Sequence, residues 1–223
     1  MRKRVFITAL LSCCIFLSQA ADSTGAVPSC VFMARQDDSG KVLSAFVSEM
    51  TASAAGFSYS YVIDDGRTEI KGEGTVEMQG ESYIVKGNGL EIISDGMTRW
   101  TVDRQSMEAV VESCDPENPD FTVNPAVLLR HFYSAFSVSG HDRTASGYDY
   151  VLVPVSSDTD ISSLELGLSA DGSVLLSAVL KMKDGTVADF TVRSFAFSAP
   201  SDPGRFHFDT SSLSSDYIIT DLR

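Results

Sequence analysis

From Phe57 to Ser113 the sequence alternates apolar and polar residues and is cut at short intervals by turn residues. No other feature constrains the fold as strongly. "FSYSYVI" runs into "DDGR", "TEIKGEGTVEM" into "QGES", "YIVKG" into "NG" and "LEIIS" into "DG"; "TRWTV" and "MEAVVES" follow. Side chains on a strand point to alternate faces, so a period of two marks strands with one covered face. Asn-Gly and Asp-Gly supply the positive φ that short hairpin loops need. The pattern predicts six strands in about 55 residues, joined as an antiparallel meander.

Helical spacing occurs on either side of the meander. "KVLSAFVSEMTAS" places Val42, Leu43, Phe46, Val47 and Met50 on one stripe, with Ser39 as the expected N-cap. "CDPENPDFTVNP" carries three prolines and cannot be a central strand. "PAVLLRHFYSAF" follows, with Pro125 suited to a first helical turn. Its apolar face is Val127 or Leu128, then Leu129, Phe132 and Phe136. "SGHD" reads as a loop. Strands resume in "YDYVLVPV", "SLELGLS", "VLLSAVLKM", "VADFTVRSFAF" and a short "RFHF". The expected class is α+β, with about ten or eleven antiparallel strands, more sheet than two helices can cover; such a sheet curls. Its concave side must be filled by its own side chains or by a ligand.

Residues 1–20 are a different object. "MRKR" is basic, "VFITALLSCCIFLS" is apolar over fourteen residues, and "SQA" ends in small residues. This is the pattern of a cleaved secretory signal, with cleavage after Ala20. The apolar run is short of the roughly twenty residues of a membrane span. The rival is a lipoprotein signal with Cys13 lipidated, but the apolar run continues past Cys13 to Leu17. Residues 21–40 read as a tether and residues 41–223 as a single soluble domain. The signal holds three of the 17 basic residues and none of the 30 acids, so the net charge of −13 deepens to −16 on its removal. So acidic a surface disfavours nucleic acid and direct adsorption to an anionic bilayer, and suits an electropositive protein partner. Cys30 and Cys114 remain. In an oxidising compartment they are candidates for one disulfide; two separate thiols are the alternative.

Trp100 is the only tryptophan. A three-residue loop Asp95–Gly96–Met97 would set Ile92 opposite Trp100 and Leu90 opposite Val102, all on one apolar face. A two-residue loop would pair Glu91 with Trp100 and mix the faces, since a shift of one residue sends every side chain to the other face. On the first register, Trp100 begins a continuous apolar surface.

Parts for chemistry are scarce. His131, His141 and His207 make no HExxH and no paired metal spacing. There is no GxSxG elbow. Ser139, His141 and Asp142 crowd one loop, whereas a triad is assembled from separate elements. Asp115, Glu117 and Asp120 lack the twelve-residue calcium pattern. Gly72, Gly74, Gly87 and Gly89 fall within strand patterns and read as bends of a curved sheet. No catalytic residue, metal site or cofactor is expected, and the chain does not read as an enzyme.

The sequence "GLEIISDGMTRWTVD" resembles the signature hairpin of the LolA-like periplasmic lipoprotein carriers. "PENPDFTVNPAVLLRHF" is similar to the loop and lid helix that follow it in that family. "LSADGSVLLSAVLKMKDGTVADFTVRSFAF" is similar to its late hairpins, and "FHFDTSSLSSDYIITDLR" to the closing strand and tail of its Bacteroidetes members. The resemblance spans residues 41–223. It implies an unclosed, strongly curved antiparallel β-barrel with helices over an apolar concave side that holds acyl chains. It also implies a periplasmic location and delivery toward the outer membrane, from an inner-membrane releasing complex to an outer-membrane receptor. One departure stands out. The best-known carriers tie lid to barrel through an arginine of a Lys-Arg-Pro-x-x-Phe stretch; here Gln79 takes its place, while Tyr83 keeps the aromatic.

The expected cargo is the acyl chains of lipoproteins, or another lipid. Tyr83, Leu90, Ile92, Trp100 and Val102 from the sheet, and Phe46, Met50, Leu128, Leu129 and Phe132 from the helices, are the candidate ligand-binding residues. Simple core packing is the alternative for each. A monomer is expected. Alternative functions on the same fold are a periplasmic sensor that releases an anti-sigma factor and a dedicated glycolipid carrier.

Overall fold

The alternating runs join into one sheet. The computed structural model describes residues 38–114 and 125–223. The signal segment, Cys30, most of the tether and the proline-rich loop lie outside them. Helix α1 (Ser39–Ala52) leads into the meander: β1 (Ala54–Asp64), β2 (Glu69–Gln79), β3 (Ser82–Gly87), β4 (Leu90–Ser94), β5 (Thr98–Asp103) and β6 (Glu108–Ser113). Helix α2 (Pro125–Ala135) follows. Then come β7 (Phe136–Arg143), β8 (Gly147–Pro154), β9 (Ile161–Ser169), β10 (Leu175–Met182), β11 (Val187–Ser198) and β12 (Ile218–Asp221). The strand order is β12-β6-β5-β4-β3-β2-β1-β11-β10-β9-β8-β7. Neighbours are antiparallel except β12, which runs parallel to β6. Since β12 and β7 do not meet, the curled sheet is unclosed, as the resemblance implied.

Local chemistry explains the hairpins. Asn88 and Gly89 both have positive φ, 52° and 83°, and form the two-residue loop that sets Gly87 opposite Leu90. The β4–β5 loop has two residues, Gly96 and Met97, and not the expected three, which shifts the register by one. The Asp95 N–H donates to the Thr98 carbonyl at 3.2 Å. The Asp95 carboxylate accepts from the N–H groups of Met97 at 2.9 Å and Thr98 at 2.8 Å. Gly96, at φ 90°, opens the loop. Asp95 therefore pairs with Thr98, and Ile93, not Ile92, stands opposite Trp100.

Other elements also differ from expectation. "SGHD" is part of β7, which pairs with β8 on both sides of a bulge at Ser139. "RFHF" does not extend as a strand: Pro203–Phe206 is a 3-10 turn capped by the Asp202 carboxylate, which accepts from Gly204 N at 2.9 Å. The N-cap of α1 is Asp38, with no side-chain capping bond. Ser39 is the first helical residue; it is buried, and its carbonyl accepts the Tyr150 hydroxyl at 2.8 Å.

Both helices sit on the concave side. Leu43, Phe46 and Met50 of α1 and Leu128, Leu129 and Phe132 of α2 share one buried cluster with Leu152, Leu164, Leu166, Leu168 and Leu180 of β8–β10. Each such side chain contributes roughly 1.5–3 kcal/mol on burial, enough to seat short helices. A second, smaller cluster lies on the convex side. It contains Ile93, Trp100 and Val111, with Ile84 and Phe208 packed against it.

Candidate functional site

Cross-strand partners share a face, so the register sorts the candidate residues. Val76, Val85 and Ile92 form one row and belong to or pack on the helix-bearing cluster. Ile84, Ile93, Trp100 and Val111 form a row of the opposite parity. Phe46, Met50, Tyr83, Leu128, Leu129 and Phe132 are together in the concave cluster, with Ile92 packed against it. Leu90, of the same parity as Ile92, lines the cavity beside it and is 38% exposed.

Trp100 and Val102 do not join them. Val102 stands opposite Glu91 and Ala109, on the face of Trp100. The C-terminal segment covers that face: the His207 ring meets Trp100 edge-on with centroids 4.9 Å apart, and Phe208 packs against the cluster. The placement of Trp100 and Val102 on the cavity face is thus corrected, and the tryptophan packs as convex-side core.

The concave face is aromatic to a degree that the candidate residues did not capture. Phe57, Tyr59 and Tyr61 alternate along β1, and Phe190, Phe195 and Phe197 face them from β11. Ring centroids are 5.8 Å apart for Phe46–Phe195, 5.9 Å for Phe57–Tyr59, 5.9 Å for Tyr59–Phe190 and 6.2 Å for Tyr61–Phe190. Such spacings favour tilted ring contacts. A seam therefore runs from α1 to the far end of β1. Its sequence signal was the alternation in "FSYSY" and "DFTVRSFAF", which revealed strands but not that the two would be neighbours.

Glycines make room for this seam. A Cβ at Gly72 would lie 2.5 Å from the Tyr61 ring, and one at Gly74 would lie 2.8 Å from the Tyr59 hydroxyl and 2.9 Å from its ring. Gly72 and Gly74 are opposite Tyr61 and Tyr59 in the ladder, so the rings lie over bare backbone. They are seats for tyrosines and not simply bends. Asn88 Nδ2 donates to Tyr61 Oη at 2.7 Å and fixes that ring at the β3–β4 turn. Burial, with Tyr61 beside it, pushes the Tyr59 phenol up to about 12, so it stays neutral.

Beyond the helices the seam opens into a cavity of about 430 Å³, lined by Tyr59, Tyr61, Ile63, Ile70, Val85, Leu90, Ile92 and Phe190, with Glu73, Asn88 and Asp103 at its border. Under α2 the space is nearly filled. A void of about 10 Å³ remains between Phe57, Tyr59, Leu128, Leu129, Leu175 and Phe190. Helix α2 thus occupies the concavity next to an open, apolar continuation.

Gln79 turns to the C-terminal segment: it accepts from Ser201 N at 2.7 Å and donates to Ser201 O at 3.1 Å. His131 Nε2 lies 3.6 Å from a carboxylate oxygen of Glu81, on the β2–β3 turn. Cys114 is a free thiol, with Sγ 3.3 Å from the buried Ser94 Oγ. Ser139 lies on β7, where its hydroxyl donates to the Val151 carbonyl at 3.1 Å. Among the described residues no cluster of His, Cys, Asp and Glu has the geometry to hold a metal ion.

Fold and site together define a class: an unclosed, curled antiparallel sheet whose concave apolar face holds two helices and an open aromatic cavity. No family model and no curated protein matches the sequence. An uncharacterized conserved protein from Thermus thermophilus has a similar structure, with a TM-score of 0.52 at 12% identity over 82% of this chain and 99% of that one. A LolA superfamily protein from Nitrosomonas europaea aligns with a TM-score of 0.43 at 11% identity, over 76% of this chain and 97% of that one. A putative outer membrane lipoprotein-sorting protein domain from Vibrio parahaemolyticus gives 0.43 at 8%, over 74% and 94%. What the chain shares with the Thermus protein is its fold.

Proposed function

We propose that this chain is a periplasmic carrier that shields the acyl chains of lipoproteins on their way to the outer membrane. The observation that carries the reading is the aromatic cavity. Its volume of about 430 Å³ falls within the usual range for small-molecule sites. It shares Tyr59 and Phe190 with the apolar space under α2. Each acyl methylene buried there contributes roughly 0.8 kcal/mol, so an apolar wall can hold cargo without specific polar bonds. A helix seated mainly by apolar contacts can lift when an acyl chain competes for them.

The leader at residues 1–20 supports export, and the sequence resemblance supports the cargo and the two membrane partners. Among the described residues no helix is long and apolar enough to cross a membrane. The test is native mass spectrometry of the purified mature protein with a synthetic dipalmitoyl lipopeptide. A one-to-one complex is expected. Failure to retain any acylated species would overturn the proposal.

A further inference from the structure

On the face opposite the aromatic seam, a polar row crosses the sheet. Ser194, Ser58, Thr75, Lys86 and Glu91 are successive cross-strand partners, alternating in parity with core residues such as Val85 and Ile92. Ser58, Thr75, Lys86 and Glu91 of this row floor a groove of about 530 Å³, to which Arg104, Arg193 and Glu73 also contribute. Arg193 is the extra residue of a bulge: Ser58 pairs with Ser194 and Tyr59 with Val192. Bulges of this kind re-aim a side chain, and this one brings a guanidinium to the groove.

The charges there are not balanced. Lys86 Nζ is 2.8 Å from one oxygen of Glu91, and Arg104 Nη2 is 2.6 Å from the other. That carboxylate is only 13% exposed and serves two cations at once. Arg193 is 2.7 Å from Glu73. Among the described residues that line the groove, three cations thus face two carboxylates, on a chain of net charge −13. Burial alone would raise the Glu91 carboxyl, but the bonds from Lys86 and Arg104 hold it below the usual carboxylate range, so it remains a fixed anion and the excess charge remains positive.

The groove and the apolar cavity adjoin. Tyr59 of β1, Glu73 of β2 and Gly87, Asn88 and Leu90 of the β3–β4 turn line both. We infer that the cargo is an amphiphile with an anionic head, a carboxylate or a phosphate: its acyl chain enters the aromatic cavity and its head passes the β3–β4 turn to the cations of the groove. This rests on the carrier reading and narrows its substrate class. Charge-assisted bonds from guanidinium groups to carboxylate or phosphate are strong and directional, whereas a neutral sugar head would gain nothing from the excess charge. The attraction is screened by salt. The acidic remainder of the surface repels the same head, which confines it to this groove.

The test compares three probes at low ionic strength: dodecyl phosphate, dodecyl maltoside and inorganic phosphate. Each is measured by displacement of a fluorescent apolar dye or by calorimetry, below micelle-forming concentrations. The parent is expected to bind dodecyl phosphate about fivefold tighter than the maltoside, equivalent to about 1 kcal/mol. In K86Q/R104Q that preference vanishes and maltoside binding is unchanged. Arg193→Gln, whose partner Glu73 is exposed, is a second variant without a partly buried carboxylate left behind; it should reduce the preference about twofold, again with maltoside binding unchanged. Equal binding of the two amphiphiles by the parent, or an unchanged preference in both variants, overturns the head assignment and leaves the carrier reading standing. Inorganic phosphate binding as tightly as dodecyl phosphate also overturns it, since the groove would then serve a free anion. Binding of neither amphiphile overturns the carrier reading itself.

Discussion

Ile93 stands directly opposite Trp100, and both side chains point away from the two helices into a cluster with Val111 that the C-terminal segment covers. The aromatic cavity lies on the other face of the same strands, one residue away in register at Ile92. The hairpin therefore supports two surfaces at once, and the largest side chain of the chain serves the closed one.

Replacing Trp100 with Ala is expected to destabilise the fold by about 3–5 kcal/mol, the cost of removing a buried aromatic and leaving a cavity. Acyl binding by the protein that remains folded should be unchanged. Denaturant unfolding and lipopeptide titration check the two halves; loss of affinity at unchanged stability would put the tryptophan back at the ligand.

Helix α2 gives the opposite expectation. Leu129 is 3% exposed and Phe132 1%, both among the apolar contacts that seat the helix. Leu129→Asp or Phe132→Asp should weaken acyl binding at least about tenfold while the sheet stays folded, because an uncompensated carboxylate against apolar surface costs several kcal/mol unless the helix swings out. Circular dichroism and ligand titration decide it. Global unfolding would make α2 core and not lid.

The glycine seats differ in what they tolerate. At Gly74 a methyl would also lie 2.7 Å from the Lys86 carbonyl, which is backbone and cannot swing aside. Gly74→Ala should cost about 1–3 kcal/mol by overpacking. At Gly72 the crowded atoms are the ends of Tyr61 and Asn88, so Gly72→Ala should cost less than Gly74→Ala but displace the Tyr61 ring and lower acyl affinity. Thermal denaturation of the two variants side by side tests the order.

Tyr59 predicts a stability change at alkaline pH. Its phenol is raised by burial and by Tyr61 to about 12, from an ordinary value of 10.0. Between those values the folded state holds a proton that the unfolded chain releases, so this contribution is complete below pH 10 and is lost as pH rises toward 12. Unfolding free energy should fall through that window, and Tyr59→Phe should flatten the slope. A slope unchanged by the substitution would remove Tyr59 as its source.

Much of this architecture was legible in the sequence because its causes are local. Alternation gave β1 to β6, since the side-chain period of a strand is set by the backbone. Asn88–Gly89 fixed its own hairpin through two positive φ angles. The spacing of Leu43, Phe46 and Met50, and of Leu128, Leu129 and Phe132, marked two helices with one buried face each. Six of the ten candidate ligand residues consequently share one concave cluster, with Ile92 packed on it and Leu90 at the cavity beside it.

Tertiary structure decided what depends on distant partners. β7 is exposed at most positions and has no clean period; it is a strand because β8 offers it an edge. β12 is exposed throughout and pairs parallel with a strand about a hundred residues earlier. The seating of tyrosines over Gly72 and Gly74, and the meeting of the β1 and β11 aromatics, needed the ladder to be known. Above all, the sequence determined that Trp100 and Val102 share a face but not which one. Two bonds to the Asp95 carboxylate moved the turn by one residue, and in a structure of period two a single residue is the whole difference between the cavity and the opposite side of the sheet.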